Sequence, residues 1–556
     1  MSTTRPYTSS KPAGPIDLWL DSNEGPPWCA DSLGSIDPES VRRYPDASRV
    51  RSLFARRFGI DEERVLVTPG GDDAIDRFFR AFVRTDDEVL LTDPTFEMVE
   101  RYARLAGGRL NSVPWREGRF PVAEFIGRIG AQTRAIVVVS PNNPTGLALE
   151  SGDLARIGEA APGVPILIDL AYAEFANDDL MDEALAIGSG VIVRTLSKAW
   201  GMAGARVGCA IASDQIIRKM QTCGAPYGVS GPSLALAERA MVAGDERSRT
   251  YVECVRSERD ELRDSLAGFA IDALPSQANF VLARSGRAGW LRDGLAGLGI
   301  ATRVWTDRKG LDDAIRVTLP GNDDAFEHLR RSIGAVLAPE AILFDLDGVL
   351  ADVSRSYRRA IIETARTFGV ELTPEDIADA KREGDANNDW VLTRTLLSRR
   401  GIDASLEDVT ERFERIYQGT PDTPGLKASE RLLTDPAWLR ALSTRLPLAI
   451  VTGRPRRDAM EFLEREGIDD CFRTVVTMED GPAKPDPTVV RVALERLGVT
   501  RAWMIGDTVD DVVAARNAGV VPLGVCPPGE DARDALARAG AARVLRELDE
   551  LGGLLP

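Results

Sequence analysis

Arg194-Thr195-Leu196-Ser197-Lys198-Ala199-Trp200-Gly201-Met202-Ala203-Gly204-Ala205-Arg206-Val207-Gly208 sets one lysine among hydroxyls and glycines, with an arginine eight positions on. It directly follows the apolar run Val191-Ile192-Val193. A lysine on a loop that leaves a buried strand is partly desolvated. Burial favours the neutral amine, which is the form that attacks an aldehyde. Thr195, Ser197 and Arg206 supply the donors that a phosphate group needs.

Similar strings stand upstream. Val65-Leu66-Val67 runs through Thr68-Pro69-Gly70-Gly71-Asp72-Asp73 into a helical stretch, which aims free backbone N–H groups outward as a phosphate cradle. Val89 to Leu91 leads into Thr92-Asp93-Pro94-Thr95-Phe96-Glu97-Met98, whose aromatic can stack on a planar ring. Val137-Val138-Val139 ends in Ser140-Pro141-Asn142-Asn143-Pro144-Thr145-Gly146, and Ile166-Leu167-Ile168 ends in Asp169-Leu170-Ala171-Tyr172. Runs of this kind profile buried parallel strands with function at their carboxyl ends.

Together these strings resemble the fold-type-I pyridoxal-phosphate aminotransferases, most closely the histidinol-phosphate aminotransferase family, whose S-P-N-N-P-T-G signature recurs here letter for letter. The resemblance implies that Lys198 carries pyridoxal 5'-phosphate. Asp169 is then the partner of the pyridinium nitrogen, keeping the ring protonated as an electron sink. Asn143 and Tyr172 are implied at the phenolic oxygen, Phe96 on the ring face, and Gly71, Asp72, Thr195, Ser197 and Arg206 at the phosphate. Tyr44, in Arg43-Tyr44-Pro45-Asp46, is implied to cross a homodimer interface to the neighbour's cofactor phosphate. In a smaller C-terminal lobe, Arg316 and Arg303 are expected to grip the substrate's anionic end, with Asn279 counted as substrate-binding beside them. Guanidinium groups suit carboxylate and phosphate alike, so they do not name the substrate. Leu18 to Pro26 resembles the family's N-E-N-P segment, but Gly25 replaces its second asparagine and no contact is assigned there.

After the short joint Ala338-Pro339-Glu340, a new apolar strand, Ala341 to Phe344, runs into Asp345-Leu346-Asp347-Gly348. Alone, two alternate acids more often make a solvated or calcium-like loop. Three further strings accompany them: Val451-Thr452-Gly453-Arg454, Ala483-Lys484-Pro485 and Ile505-Gly506-Asp507-Thr508-Val509-Asp510-Asp511. The set resembles the haloacid-dehalogenase-like phosphatases. The resemblance implies Asp345 as nucleophile, Asp347 as general acid and base, and Thr452, Gly453 and Lys484 around the phosphoryl oxygens. Asp345, the Asp347 carbonyl and Asp507 would hold Mg²⁺, with Asp511 supporting them. Helical periodicity over about 355–440 predicts a cap, with Asn387, Asn388 and Asp389 as contacts to the substrate.

Length and composition agree. A chain of 556 residues outgrows one hydrophobic core, and 44% hydrophobic with 28% charged residues is globular composition. A net charge of −17 argues against a nucleic-acid surface. Six cysteines without a C-x-x-C pair fit reduced thiols. One histidine, His328, read as a surface or packing position, excludes histidine-triad chemistry. The opening residues lack the apolar core of a secretory signal, and the expected compartment is the cytoplasm.

The expected fold class is α/β: a fold-type-I transferase with large and small lobes over 1–338, then a Rossmann-like, capped dehalogenase-type domain over 339–556. The expected function is bifunctional. Imidazole-acetol phosphate would accept an amino group from glutamate, and the resulting histidinol phosphate would be hydrolysed. Another small phosphorylated amino alcohol fits the sequence equally. The remaining alternatives are a plain 2-oxo acid substrate with a phosphoglycolate-type phosphatase, one idle regulatory domain, or a decarboxylase of the same cofactor fold.

Overall fold

Apolar, β-branched runs become the inner strands of a seven-stranded sheet. Its strands are β1 Val65–Thr68, β2 Glu88–Asp93, β3 Arg109–Pro114, β4 Thr133–Val139, β5 Ile166–Asp169, β6 Gly190–Thr195 and β7 Gly208–Ile211, in the order β1-β7-β6-β5-β4-β2-β3. β2 to β6 are parallel, while β7 is antiparallel to both neighbours. A parallel sheet is covered on both faces, which is why β4 to β6 show no polar alternation. On one face α1, Gly70–Phe82, packs Ala74, Phe78 and Phe79 against Val137, Leu167 and Val191. Val139 lies opposite Asp169, and Asp169 opposite Val193, so the loops leaving β4, β5 and β6 open side by side. Four antiparallel strands form a second sheet: β8 Asp272–Ala273, β9 Phe280–Arg284, β10 Arg303–Val304 and β11 Ala314–Thr318, in the order β10-β11-β9-β8.

The third sheet is six-stranded and parallel: β12 Ala341–Phe344, β13 Leu448–Val451, β14 Phe472–Val476, β15 Ala502–Gly506, β16 Val521–Val525 and β17 Arg543–Leu545. Its order, β14-β13-β12-β15-β16-β17, places β12 where the winding reverses. Strand ends at such a switch point form the crevice in which open α/β sheets bind ligands. Four helices make the cap: α2 Tyr357–Thr367, α3 Pro374–Glu383, α4 Asp389–Arg399 and α5 Leu406–Gln418. The strands Ala351–Asp352 and Arg431–Leu432, paired antiparallel, carry the chain out to it and back.

The structure is a computed structural model that describes residues 11–28, 34–383, 388–527, 529 and 531–556. By compactness the chain divides into two units, one of Leu20–Gly286 with Thr302–Glu327, the other of 11–19, Arg287–Ala301 and His328–Pro556. The helix Ala288–Gly297 thus groups with the third sheet. Trp290 packs edge-on to Trp503 of β15, with ring centroids 4.9 Å apart, and Trp503 Nε1 donates to the Ala335 carbonyl at 2.8 Å. A Cβ on Gly297 would lie 2.9 Å from that of Ala542. This grouping crosses the joint at Ala338-Pro339-Glu340.

Candidate active sites

In the first unit a cavity of about 440 Å³ opens over the ends of β4, β5 and β6. Lys198 stands three residues beyond β6, half-buried in its wall, with Nζ 3.4 Å from the Ser22 carbonyl and 5.4 Å from the Tyr172 ring centroid. Asp169, the last residue of β5, is 5% exposed and accepts from the Ala171 N–H at 3.0 Å. Burial pushes its carboxyl up to about 6, against the pull of Lys198 and Arg194. Arg194 gives its ion pair to Glu174 at 2.5 Å. A buried acid at the cavity floor is thus short of a cationic donor, and a pyridinium N–H has that chemistry.

Asn143 and Tyr172 also line the cavity. Asn143 Oδ1 accepts from Arg316 Nη1 at 2.7 Å, which leaves its amide nitrogen to donate. Its neighbour Asn142 is fully buried and ties the turn together through Thr95, Thr145 and the Pro94 carbonyl. The Tyr172 hydroxyl accepts from Asn23 Nδ2 at 3.0 Å. Asn23, in left-handed backbone at φ 55°, is 1% exposed and accepts from Thr318 Oγ1 at 3.0 Å. No contact is expected of this segment from the sequence. Its position beside the recognisable N-E pair was the one signal, and Gly25 obscured it. Gly25 has its own reason: a Cβ there would stand 1.8 Å from the Lys198 carbonyl oxygen.

At the expected phosphate end, Thr195 Oγ1 donates to Ser197 Oγ at 2.8 Å, and Arg206 Nη2 to Asp72 Oδ2 at 2.9 Å. A Cβ on Gly70 would meet Arg206 Nη2 at 2.6 Å, so the glycine turn admits this arginine against the first turn of α1. These groups, with the free N–H groups of that turn, fit a phosphate. Gly71, Asp72, Phe96, Thr195, Ser197, Arg206, Arg303 and Arg316 all line the same cavity. Arg316 Nη2 donates to the Asp21 carbonyl at 2.6 Å, and Arg303 lies 3.8 Å from Glu97 Oε1. Asn279 and Tyr44 are placed elsewhere. Asn279 is fully buried behind the wall, donating to the Asn23 and Glu24 carbonyls at 3.3 and 3.2 Å, so it supports the opening segment. Tyr44 is 82% exposed and stacks on Tyr227 at 4.7 Å.

In the second unit, Asp345 follows β12, Thr452 follows β13 and Asp507 follows β15, three adjacent strand ends. Oxygens of Asp345, Asp507 and Asp511, all buried, lie within 4.8 Å of one another. Lys484 Nζ donates to Asp345 Oδ1 at 2.6 Å, to the Val451 carbonyl at 3.1 Å, and to Asp511. Burial pushes the Asp345 carboxyl well up; Lys484 pulls it down, and Asp511, Asp507 and Asp347 raise it further. Three acids against one lysine is the donor set of a hard divalent cation. Asp511 Oδ2 is held by Thr508 N at 3.1 Å and Oγ1 at 2.6 Å, as a supporting residue would be. Gly348, at φ 76°, leaves space for Asp507, whose Oδ2 would lie 2.2 Å from a Cβ there.

The Asp347 carboxyl stands apart from that cluster and is gripped by Arg454, to which the sequence reading gave no role. A cleft of about 30 Å³ next to it is lined by Gly453, Tyr357, Asn388, Asp389 and Trp390. Asn388 also caps α4, accepting from the Trp390 and Val391 N–H groups at 3.1 Å. Asn387 lies outside the described residues. A larger cavity, about 800 Å³, opens beside Asp507, Thr508 and Arg358.

The two sites define a transferase joined to a hydrolase. The chain belongs to the aminotransferases of class I and II, whose family pattern matches residues 31–333, and it continues as a haloacid dehalogenase-like hydrolase over residues 339–519. It is a multidomain enzyme of fold type I.

The chain is similar to several named proteins. A histidinol-phosphate aminotransferase of Roseiflexus castenholzii is 34% identical over 330 residues, 55% of this chain and 86% of that protein. One of Xanthomonas euvesicatoria is 34% identical over 322 residues, 54% and 86% of the two chains. An imidazoleglycerol-phosphate dehydratase of Phytophthora nicotianae is 47% identical over 221 residues, 38% of this chain; the chain spans about half, 49%, of that protein. The crystal structure of the histidinol-phosphate aminotransferase from Clostridium acetobutylicum shares the fold at TM-score 0.53 and 21% identity, covering 57% of this chain and 98% of that one. An L-threonine-O-3-phosphate decarboxylase from Porphyromonas gingivalis does so at 0.51 and 20%, covering 57% and 98%.

Proposed function

We propose that the chain transaminates imidazole-acetol phosphate to histidinol phosphate, with glutamate as donor, and hydrolyses the phosphate ester of that product. The carrying observation is the cavity that Lys198 and Asp169 line together with Arg316 and Arg303, which stand opposite each other on neighbouring strands. The names of the relatives support the substrate, since both sets speak of phosphate esters of imidazole-bearing alcohols. We place the functional divide at 338/339, and both activities in the cytoplasm; among the described residues no helix is long and apolar enough to cross a membrane.

Pyridoxal phosphate, when bound, supplies the electron sink for a carbanion at the amino-bearing carbon. Lys198 Nζ takes and returns the proton at that carbon, Asp169 holds the positive ring edge, and Arg316 and Arg303 orient the anionic end. In the second site Asp345 attacks phosphorus and Asp347 protonates the leaving alcohol. Mg²⁺ held by Asp345 and Asp507 would neutralise charge between nucleophile and ester.

The test mixes protein, pyridoxal phosphate and Mg²⁺ with L-histidinol phosphate and follows cofactor absorbance and released phosphate together. Both signals are expected. Lys198→Ala should remove the first and spare the second, and Asp345→Asn the reverse. If glutamate alone converts the cofactor and histidinol phosphate changes neither signal, the substrate is wrong.

The first part is further proposed to act as a homodimer. Tyr44 and Tyr227, 82% and 55% exposed, lie with Val41, at 69%, on a surface that one chain leaves to water. Light scattering should give twice the 60.3 kDa of one chain; a monomer with full transamination would rule this out.

A further inference from the structure

Arg454 stands two residues beyond Thr452, its side chain 1% exposed. Nε donates to Asp347 Oδ1 at 2.7 Å, and Nη2 donates to the same oxygen. Both contacts fall on Oδ1, which fixes how the carboxyl is turned. The guanidinium also meets Glu430, with Nη1 3.1 Å from Oε2 and Nη2 3.2 Å from Oε1. Glu430 is as buried as Arg454 and accepts two more bonds, from Ser356 Oγ at 2.8 Å and Tyr417 OH at 3.0 Å. Ser356 immediately precedes α2, Tyr417 lies on α5, and Glu430 immediately precedes the strand that returns from the cap. One buried carboxylate therefore joins the first cap helix, the last cap helix and the guanidinium that holds Asp347.

A buried ion pair is a weak source of stability, since apolar side chains of the same volume serve as well. What a fork of fixed donors does supply is orientation. We propose that Arg454 is a positioning residue of the phosphatase: it fixes the Asp347 carboxyl for proton transfer, and Glu430 ties that pose to the cap. The proposal rests on the reading of this site as a phosphatase. In the first step Asp345 bonds to phosphorus and the P–O ester bond breaks. Its electron pair stays on the leaving oxygen, which takes the proton from Asp347. In the second, water attacks phosphorus and gives its proton back to Asp347. Phosphate then leaves, and Asp345 is restored as a carboxylate.

Two esters of nearly equal size separate positioning from mere structure. Phenyl phosphate releases a phenolate of pKa about 10 that needs a proton, whereas 4-nitrophenolate is a far weaker base and leaves unaided. The full chain with Mg²⁺ is mixed with each ester, and the phenol released in the first turnover is measured by rapid quench. Arg454→Met is expected to slow phenyl phosphate by ~10²-fold more than 4-nitrophenyl phosphate. Asp347→Asn should show the same selectivity, Arg454→Lys part of it, and Glu430→Gln the same direction with smaller size. Equal slowing of both esters, or of neither, overturns the proposal. Should Arg454→Met fail to fold, Arg454→Lys and Glu430→Gln carry the same comparison. A wild-type chain that releases no phosphate from either ester would instead overturn the phosphatase reading.

Discussion

Asp169 shows how a site residue trades stability for chemistry. Its pKa rises from 3.8 to about 6 on folding, so between those values the folded chain binds more protons than the unfolded one. The favourable contribution is therefore complete below pH 3.8 and lost as the pH rises through 6. At pH 8 the buried carboxylate costs on the order of 3 kcal/mol. Asp169→Asn should raise the Tm of the cofactor-free protein at pH 8, raise it roughly half as much at pH 5, and depress transamination. A gain in Tm independent of pH would contradict burial as the cause. At this scale Asp169 and Asn143 were legible in the sequence, because a strand-end acid is a local pattern and the string Ser140 to Gly146 resembles the family's signature. Asn23 and Arg454 were not, because their partners are 295 and 107 residues away.

Among the elements, the helix Val509–Asn517 (α6) ties local capping to the acidic cluster. Thr508 and Asp511 form a reciprocal capping box at its start. The same Asp511 presents its other oxygen to Lys484. Thr508→Ala should cost ~1 kcal/mol by loss of the cap and raise the Mg²⁺ concentration that half-saturates phosphate release. Thr508→Ser should restore both. Denaturant midpoints and a Mg²⁺ titration check this, and an unchanged titration would detach the cap from the metal site. The T-x-x-D spacing was visible in Thr508 to Asp511, but the lysine opposite depends on how the loop before the helix Thr488–Leu497 returns to β12.

For the whole molecule, the second unit reaches back into earlier sequence. Trp290, 4% exposed, covers Trp503, which is itself fully buried on the central sheet. Trp290→Ala should destabilise this unit by about 3–5 kcal/mol, read as a lowered urea midpoint and faster thermal loss of phosphatase activity. A fragment beginning at residue 339 lacks that cover and should show the same defect. Wild-type stability in either would mean that the helix Ala288–Gly297 is dispensable to the phosphatase.

By itself the sequence determined two α/β units with chemistry at the ends of parallel strands, because unbroken β-branched runs encode two-sided burial and the residues that end them are fixed by adjacency. It also pointed to Lys198, Asp169, Asn143 and Tyr172, which line the cavity over β4 to β6, and to Asp345, Thr452 and Asp507 at the strand ends beside β12. Only the tertiary structure decided their atom-level partners: that Asn279 braces the wall, that Asn23 holds Tyr172, and that the Asp347 carboxyl turns to Arg454 while Asp511 joins the acids. Those pairings are set by where separate strands and caps come to rest, and hydrogen bonds between residues a hundred or more positions apart leave no periodic trace along the chain.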